Sequence, residues 1–287
     1  MEFLIELLLG AIVIVTIAIF AFKKDLLNET GTLMAIILGF VVFSFPMNPI
    51  PGWIWFSTMA LFFVLSSIVT RFKKQDKEQV NAEFAKGGIR DAMQVFANGA
   101  GAALFAVIYH FYPSDFVFLG FAATLATVNA DTWATELGVL SKAKPFLITN
   151  LKKVERGTSG AISTFGTLAS LGGAVAIALA AVVLITIGLK VDVFTAFPLG
   201  VIGFIVIVSI CGLLGALIDS LMGATWQVMY YCEKCKKETE RRTHKCGNKT
   251  IYRKGAKWFD NDLVNLLSSI VAAIIAVGFY FLLKMLI

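Results

Sequence analysis

The sequence predicts an all-α integral membrane protein, a polytopic bundle of about eight transmembrane helices with the N-terminus and the C-terminus outside. Apolar residues fill 58% of 287 positions, charged residues fill 15%, and the mean hydropathy is +0.81. A soluble domain needs more polar surface than this composition supplies. Apolar runs of membrane-span length recur along the chain, and they are continuous, unlike the alternating pattern of a β-barrel. Basic residues gather in alternate connections, as cytoplasmic loops do.

Eight apolar runs match the length with which an α-helix crosses a bilayer. The first lacks a basic region before it and a small-residue cleavage pattern after it, so we read it as a span and not as a cleaved signal peptide. The second is short. In chain order, the runs are 3–22, 31–46, 51–70, 93–112, 116–140, 160–189, 197–222 and 263–286. They form one integral-membrane domain over residues 1–287, with a basic Cys/His loop at 223–262.

The distribution of basic residues predicts the orientation. With the amino terminus outside, 23 of the 25 Lys and Arg residues fall in cytoplasmic connections, and only Lys190 and Lys284 lie on the other side. Positive residues accumulate on the cytoplasmic side. Because they are spread over short connections and form no separate basic domain, we expect no nucleic-acid partner, despite the net charge of +6.

Polar residues gather towards the predicted cytoplasmic ends of the spans. At about 1.5 Å per residue, Asp131, Glu136 and Asp219 lie in the inner half of the bilayer core. An ionisable group at this depth is costly and persists mostly where it lines a polar cavity. The fourth and eighth spans begin with further polar residues, namely Asp91, Gln94, Asn98, Asp260, Asn261, Asp262 and Asn265. Hard oxygen ligands of this kind suit Mg²⁺ shared with substrate phosphates, whereas Asp91, Asp260 and Asp262 are equally suited to helix caps or structural hydrogen bonds.

A basic connection supplies the complementary charge. Lys152-Lys153-Val-Glu-Arg156-Gly-Thr158-Ser159-Gly leads into the sixth span, where free backbone N–H groups and the helix dipole favour an anion. Thr158 and Ser159 are suited either to bind phosphate oxygens or to cap that helix. The chain has no G-x-x-x-x-G-K-[ST] sequence, so a P-loop kinase is disfavoured.

The loop between the seventh and eighth spans contains four soft ligands. Cys232-x-x-Cys235 and His244-x-Cys246 have the types and grouping of a closed tetrahedral zinc site. A persistent disulfide is not expected on the cytoplasmic side. The sequence therefore predicts a candidate structural Zn²⁺ site, with an incidental Cys pair as the alternative. Cys211, alone within a span, is interpreted as core packing.

Four ordered motifs carry a resemblance to a known family. They are N-A-D-T-W-A-T-E-L-G from Asn129, R-G-T-S-G-A-I-S from Arg156, D-S-x-x-G-A-x-x-Q from Asp219, and N-D-x-V-N from Asn261. From about residue 30 onwards, the chain resembles the integral-membrane family that includes plant phytyl-phosphate kinase and animal transmembrane protein 19. The resemblance implies functional roles for Asn129, Asp131, Glu136, Thr158, Ser159, Asp219, Asn261, Asp262 and Asn265.

The resemblance implies a CTP- and Mg²⁺-dependent kinase that converts an isoprenyl monophosphate to its diphosphate. We expect Asp131, Glu136 and Asp219 to be catalytic metal ligands together with Asp262, and the substrate to contact Asn98, Asn129, Thr158, Ser159, Asn261 and Asn265. Lys142, Lys153 and Arg156 are the expected phosphate partners. The reaction would take place at the cytoplasmic face of the cell membrane, between soluble CTP and a prenyl phosphate in the lipid. The alternatives are a secondary transporter that uses the intramembrane acids for ion or proton coupling, and a non-catalytic lipid-binding or scaffolding protein.

Overall fold

In the computed structural model, the chain folds into a bundle of α-helices with small strands in two connections. The structure describes residues 2–46, 49–75, 77, 88–189, 194 and 197–286. Within these ranges the helices are α1 (Glu2–Lys23), α2 (Glu29–Ser44), α3 (Gly52–Arg71), α4 (Ala92–Phe111), α5 (Asp115–Gly138), α6 (Thr164–Gly188), α7 (Gly200–Thr225) and α8 (Asn261–Leu286). The predicted all-α class is confirmed.

Six of the described helices are long and apolar enough to cross a membrane: α1, α3, α4, α6, α7 and α8. The other two depart from this pattern for different reasons. α2 has only 16 residues, and α5 carries polar residues in its final turns. That α2 and α5 also span the membrane, and that both termini lie outside, therefore stay predictions.

The central helix of the bundle is α5, which packs against α3, α4, α6, α7 and α8. Every residue from Val117 to Ala130 is buried. Small residues let the neighbouring helices approach closely. A Cβ at Gly212 of α7 would lie 2.7 Å from the Cβ of Ala174 and 2.9 Å from that of Ala126, so this position of α7 faces the bundle interior.

One end of the bundle is closed by aromatic side chains. The ring of Trp55 lies 4.8 Å from that of Tyr109 and 4.5 Å from that of Phe121, measured between centroids. Its indole N–H donates to the Ile50 carbonyl at 3.2 Å. This dense apolar packing leaves the opposite end, where α4, α6 and α8 begin and α5 and α7 end, as the place for polar groups.

Two connections at the polar end contain strands that the sequence did not predict. β1 (Phe146–Leu147) pairs antiparallel with β2 (Ala161–Ile162). Because residues 161–162 form a strand, the sixth helix begins at Thr164 and not at the predicted residue 160. Between α7 and α8, β3 (Met229–Cys232), β4 (Lys237–Thr239) and β5 (Ile251–Lys254) form an antiparallel sheet of order β4-β3-β5.

Candidate active site

A large cavity occupies the polar end of the bundle. Its volume is about 820 Å³, and both the helix termini and the connection before α6 line it. Ten of the residues predicted from the sequence line this cavity: Asn98, Asp131, Glu136, Arg156, Thr158, Ser159, Asp219, Asn261, Asp262 and Asn265. Asn98 and Asn265 are hydrogen-bonded to each other there, although they lie 167 positions apart in the chain. The fold therefore brings sequence-distant polar groups into one space.

Two carboxylates form the centre of the cavity wall. Asp131 of α5 and Asp219 of α7 both line the cavity and repel one another electrostatically. Asp219 is only 8% exposed, and its Oδ2 accepts a hydrogen bond of 3.0 Å from the Ser268 hydroxyl. The helices that carry the two acids, α5 and α7, pack against each other. A cation or a proton between them would relieve the repulsion.

The carboxylates that line the cavity suit a hard cation that also has ligands from outside the protein. Among the described residues, no three carboxylates lie close enough together to form a metal site by themselves. Asp131 and Asp219 are neighbours, and Asp262, 6% exposed, lines the same cavity from the first turn of α8. Mg²⁺ in proteins typically uses one or two carboxylates and completes its shell with water and substrate phosphates. The residues present fit that arrangement.

Glu136 has a cationic partner of its own. Lys77 Nζ lies 2.5 Å from Glu136 Oε2, and the Lys77 side chain is completely buried. The same ammonium group donates to the carbonyls of Val69 at 2.9 Å and Thr70 at 2.8 Å, at the end of α3. Glu136 lines the cavity, but Lys77 compensates its charge. This contact distinguishes it from Asp131 and Asp219, with which the sequence analysis had grouped it.

The connection before α6 is held against the end of α7. Gly160 has φ +77°, and a Cβ there would lie 2.6 Å from the Ser220 carbonyl oxygen, so a side chain would be strained and would collide with α7. Ser159 donates to Gln227 Oε1 at 2.9 Å, and Gln227 Nε2 donates to Glu240 Oε1 at 2.8 Å. All five of these residues line the cavity. Ser159 is thereby anchored at the cavity wall.

Thr158 and Ser159 do not cap α6. The cap is Ser163, whose side chain accepts from the Gly166 N–H at 3.0 Å. Thr158 instead donates to the Glu155 carbonyl at 2.8 Å. At the surface of this connection, Lys144 donates to Glu155 at 2.5 Å and holds the pKa of that carboxyl below its usual range.

Three predicted substrate-binding residues do not line the cavity. Asn129 is buried between helices, where its Nδ2 donates to the Gly173 carbonyl of α6 at 2.8 Å. The side chains of Lys142 and Lys153 are exposed outside the cavity. Lys142 takes part through its backbone carbonyl, which accepts from Arg156 Nη2 at 3.0 Å. These three residues lie outside the cavity because the connection turns the two lysines outward and Asn129 faces α6. Their contacts with substrate stay a prediction.

The other two predicted acids of the polar end, Asp91 and Asp260, form helix caps. Asp91 forms a capping box with Gln94 at the start of α4, and Asp260 accepts from the Leu263 N–H at 3.1 Å at the start of α8. These two residues therefore have the structural roles that the sequence left open. Both still lie beside the polar end of the bundle.

Several residues that line the cavity were not predicted from the sequence. Arg90 donates to the hydroxyls of Ser66 and Ser67 at 3.0 and 3.3 Å, and its guanidinium lies over the Phe63 ring. Further lining residues that were not predicted are Arg71, Lys74, Ser170, Gln227 and Glu240. For Arg71, Lys74 and Arg90 the available signal was the run of basic residues in 71–92, which membrane orientation alone already explained. For Gln227 it was the D-S-x-x-G-A-x-x-Q motif.

The four soft ligands of the connection between α7 and α8 come together. The ligand atoms of Cys232, Cys235, His244 and Cys246 all lie within 4.8 Å of one another. Neighbouring thiols raise the pKa of Cys235 to about 11. The Asn248 backbone N–H lowers the pKa of Cys246 to about 6. Cys211 is buried within α7, as expected of a core residue.

The chain is similar to membrane proteins from archaea and plants. A membrane protein of Methanocaldococcus jannaschii, described as uncharacterised, is 30% identical over 280 residues, which cover 98% of this chain and 97% of the relative. Protein PGR of Arabidopsis thaliana is 32% identical over 243 residues, with 79% and 81% covered. The chloroplastic protein VTE6 of the same plant is 26% identical over 227 residues, with 77% and 57% covered. No solved structure matches the chain.

A family profile also matches most of the chain. The family described as integral membrane protein DUF92 matches residues 12–273. This range contains all four motifs from which the sequence analysis drew its resemblance. The chain therefore belongs to the DUF92 family of integral membrane proteins.

Proposed function

We propose that the protein is an isoprenyl-phosphate kinase, which transfers the γ-phosphoryl group of CTP to a prenyl monophosphate in a Mg²⁺-dependent reaction. The convergence of Asp131, Asp219 and the Arg156–Gly160 connection in one cavity at the end of a membrane bundle is the observation that carries this proposal. The resemblance to the family that includes plant phytyl-phosphate kinase also supports the proposal. The cavity would open at the cytoplasmic face, where the basic connections are expected.

The groups around the cavity match the demands of phosphoryl transfer, which are mainly positioning and charge neutralisation. Bound Mg²⁺, held by Asp131 and Asp219, would neutralise phosphate charge. Arg71, Lys74, Arg90 and Arg156 bring positive charge to the cavity wall. We assign Arg156 to the nucleotide, because it lies on the exposed connection that soluble CTP would meet first.

The acceptor needs no separate general base, since a phosphate monoester is already largely ionised near neutral pH. Positioning it is the task of the chain. Among the described residues, the buried Oδ1 of Asn265 and the buried Oγ of Ser170 make no hydrogen bond, and both residues line the cavity. We assign the Ser170 hydroxyl as a donor to a bound phosphate and Asn265 Oδ1 as an acceptor from a ribose hydroxyl, because buried polar atoms are rarely left unpaired.

A second, apolar cavity would hold part of the isoprenoid tail. Its volume is about 80 Å³, and it lies among α1, α2, α3 and α4. It shares Arg90 and Asn98 with the large cavity, so a headgroup and a tail could occupy the two at once. Ile17, which lines the smaller cavity, is 37% exposed on the outer surface of the bundle, which gives the rest of a long tail a route into lipid.

Filling the apolar cavity should discriminate between acceptors by tail length. Ala60 lines it, and Ala60→Phe would occupy the space of the tail. We expect the KM for a C20 prenyl monophosphate to rise about tenfold, the equivalent of ~1.4 kcal/mol, with no comparable change for a C5 monophosphate. Steady-state kinetics with both acceptors would measure the difference. Leu61→Phe, on the adjacent exposed position, is the control. Equal effects on both acceptors, or an equal effect of the control, would contradict the tail assignment.

An acceptor and nucleotide panel tests the proposed reaction. Purified protein in detergent or liposomes should convert prenyl monophosphates to diphosphates with CTP and Mg²⁺, whereas the free prenyl alcohol should remain unphosphorylated. Mass spectrometry of the lipid products measures this directly. Solute uptake by proteoliposomes without nucleotide consumption would favour a secondary transporter instead. Absence of both turnover and nucleotide-dependent stabilisation would favour a non-catalytic lipid-binding protein.

A further inference from the structure

The connection between α7 and α8 contains a cluster that the proposed reaction does not use. Cys232 ends β3, and Cys235 lies in the turn before β4. His244 begins a second turn that contains Cys246, and the His244 N–H donates to the Asn248 carbonyl at 2.9 Å. Two turns on one small sheet thus present their side chains to a common point. Cys232 is completely buried and His244 is 7% exposed, so the cluster is not a set of loose surface groups.

The spacing of the cluster matches tetrahedral zinc. With Zn–S bonds of about 2.3 Å, two thiolates at the corners of a tetrahedron lie roughly 3.8 Å apart. Cys232 Sγ and Cys246 Sγ are 3.7 Å apart. This separation is far longer than a disulfide bond of about 2.0 Å. The four ligand atoms, three sulfurs and one nitrogen, form the closed donor set that structural zinc sites use.

The sheet that carries the cluster also carries part of the wall of the large cavity. Gln227 and Val228 lead directly into β3, and Glu240 follows β4 directly. The Gln227–Glu240 hydrogen bond of 2.8 Å joins the two strands at the end opposite the cysteine turn, and Gln227 accepts from Ser159. A metal that fixed the β3–β4 hairpin would therefore fix the anchor of Ser159 as well.

We propose that Cys232, Cys235, His244 and Cys246 bind one structural Zn²⁺ ion, and that this ion positions Gln227 and Glu240 at the wall of the large cavity. All four coordination positions are filled by protein, so the ion takes no part in the transfer step itself. The metal assignment is independent of the proposed function. The positioning role rests on the hydrogen bonds that link the hairpin to Ser159.

Metal analysis of the full-length protein tests the zinc site whatever the protein catalyses. Protein purified without chelator should contain about one zinc ion per chain, and growth in cobalt should give the visible absorption bands of tetrahedral thiolate-coordinated Co²⁺. Cys232→Ser with Cys246→Ser should lose the metal. Cys211→Ser, which alters a buried thiol outside the cluster, should retain it. Wild-type protein without stoichiometric metal, or a double variant that keeps it, would overturn the assignment.

Hydrogen exchange tests the positioning role. Removal of zinc from the folded wild-type protein should speed amide exchange at residues 156–160 as well as at 229–254, whereas exchange in α4 should stay unchanged. This readout needs neither nucleotide nor prenyl phosphate, so its failure is distinguishable from failure of the kinase proposal. Faster exchange at 229–254 alone would show that zinc stabilises only the hairpin and would overturn the positioning role.

Discussion

Asp131→Asn is expected to lower the rate of prenyl diphosphate formation at least about 100-fold while the protein stays folded in the membrane. A preorganised charged group at the transferring phosphate typically accounts for an effect of this size. The same substitution removes one of two neighbouring carboxylates that repel each other. Without metal, the variant should therefore melt at a higher temperature than the wild-type protein. A lower rate together with a higher melting temperature distinguishes a functional carboxylate from a structural one.

Thermal melting with and without Mg²⁺ completes this test. Mg²⁺ should raise the melting temperature of the wild-type protein, because a ligand that binds only the folded state stabilises it, and it should have little effect on the variant. Asp115→Asn is the matched control, since Asp115 lies at the other end of the same helix and outside the large cavity. An Asp131→Asn variant with near wild-type turnover would contradict the metal-binding role.

Lys77→Met is expected to destabilise the protein by about 3–5 kcal/mol. Lys77 is completely buried against Glu136, and its removal leaves the Glu136 carboxylate without its ion-pair partner. The substitution also removes hydrogen bonds to two carbonyls at the end of α3. Chemical or thermal unfolding in detergent would measure the loss.

A second substitution separates the ion pair from the other contacts of Lys77. Glu136→Gln in the Lys77→Met background removes the unpaired charge and should restore most of the lost stability. Lys73→Met, on a neighbouring exposed lysine, should change stability by no more than about 1 kcal/mol. A double variant as unstable as Lys77→Met alone would show that the pair itself contributes little.

The helices of this fold could be predicted from the sequence because hydrophobic length is a local property. Each apolar run became a helix with termini within a few residues of the expected ones, except for α6. There the strand pairing of Ala161–Ile162 with Phe146–Leu147 delays the helix start. The three-stranded sheet was hidden for a related reason, since strands of three or four residues in a charged connection leave no clear periodicity.

Residues of the candidate site could be predicted where a polar side chain falls within an apolar membrane-spanning run. Asp131 and Asp219 stand out as acids within apolar helices, and both line the cavity. Side-chain direction was not readable in the same way. Asn129 lies two residues before Asp131 on α5, which turns it towards Gly173 and away from the cavity. Lys77 lies among many loop lysines, so only tertiary structure identifies it as the buried partner of Glu136.

The most direct measurement of the central claim is ³¹P or radiolabel tracing of the γ-phosphoryl group of CTP in the presence of a C20 prenyl monophosphate and Mg²⁺. The proposed function predicts that the label appears in the terminal phosphate of the prenyl diphosphate, one for each CDP formed, and that Asp131→Asn abolishes this transfer. Label released only as inorganic phosphate, or no CTP consumption by a folded wild-type protein, would contradict it.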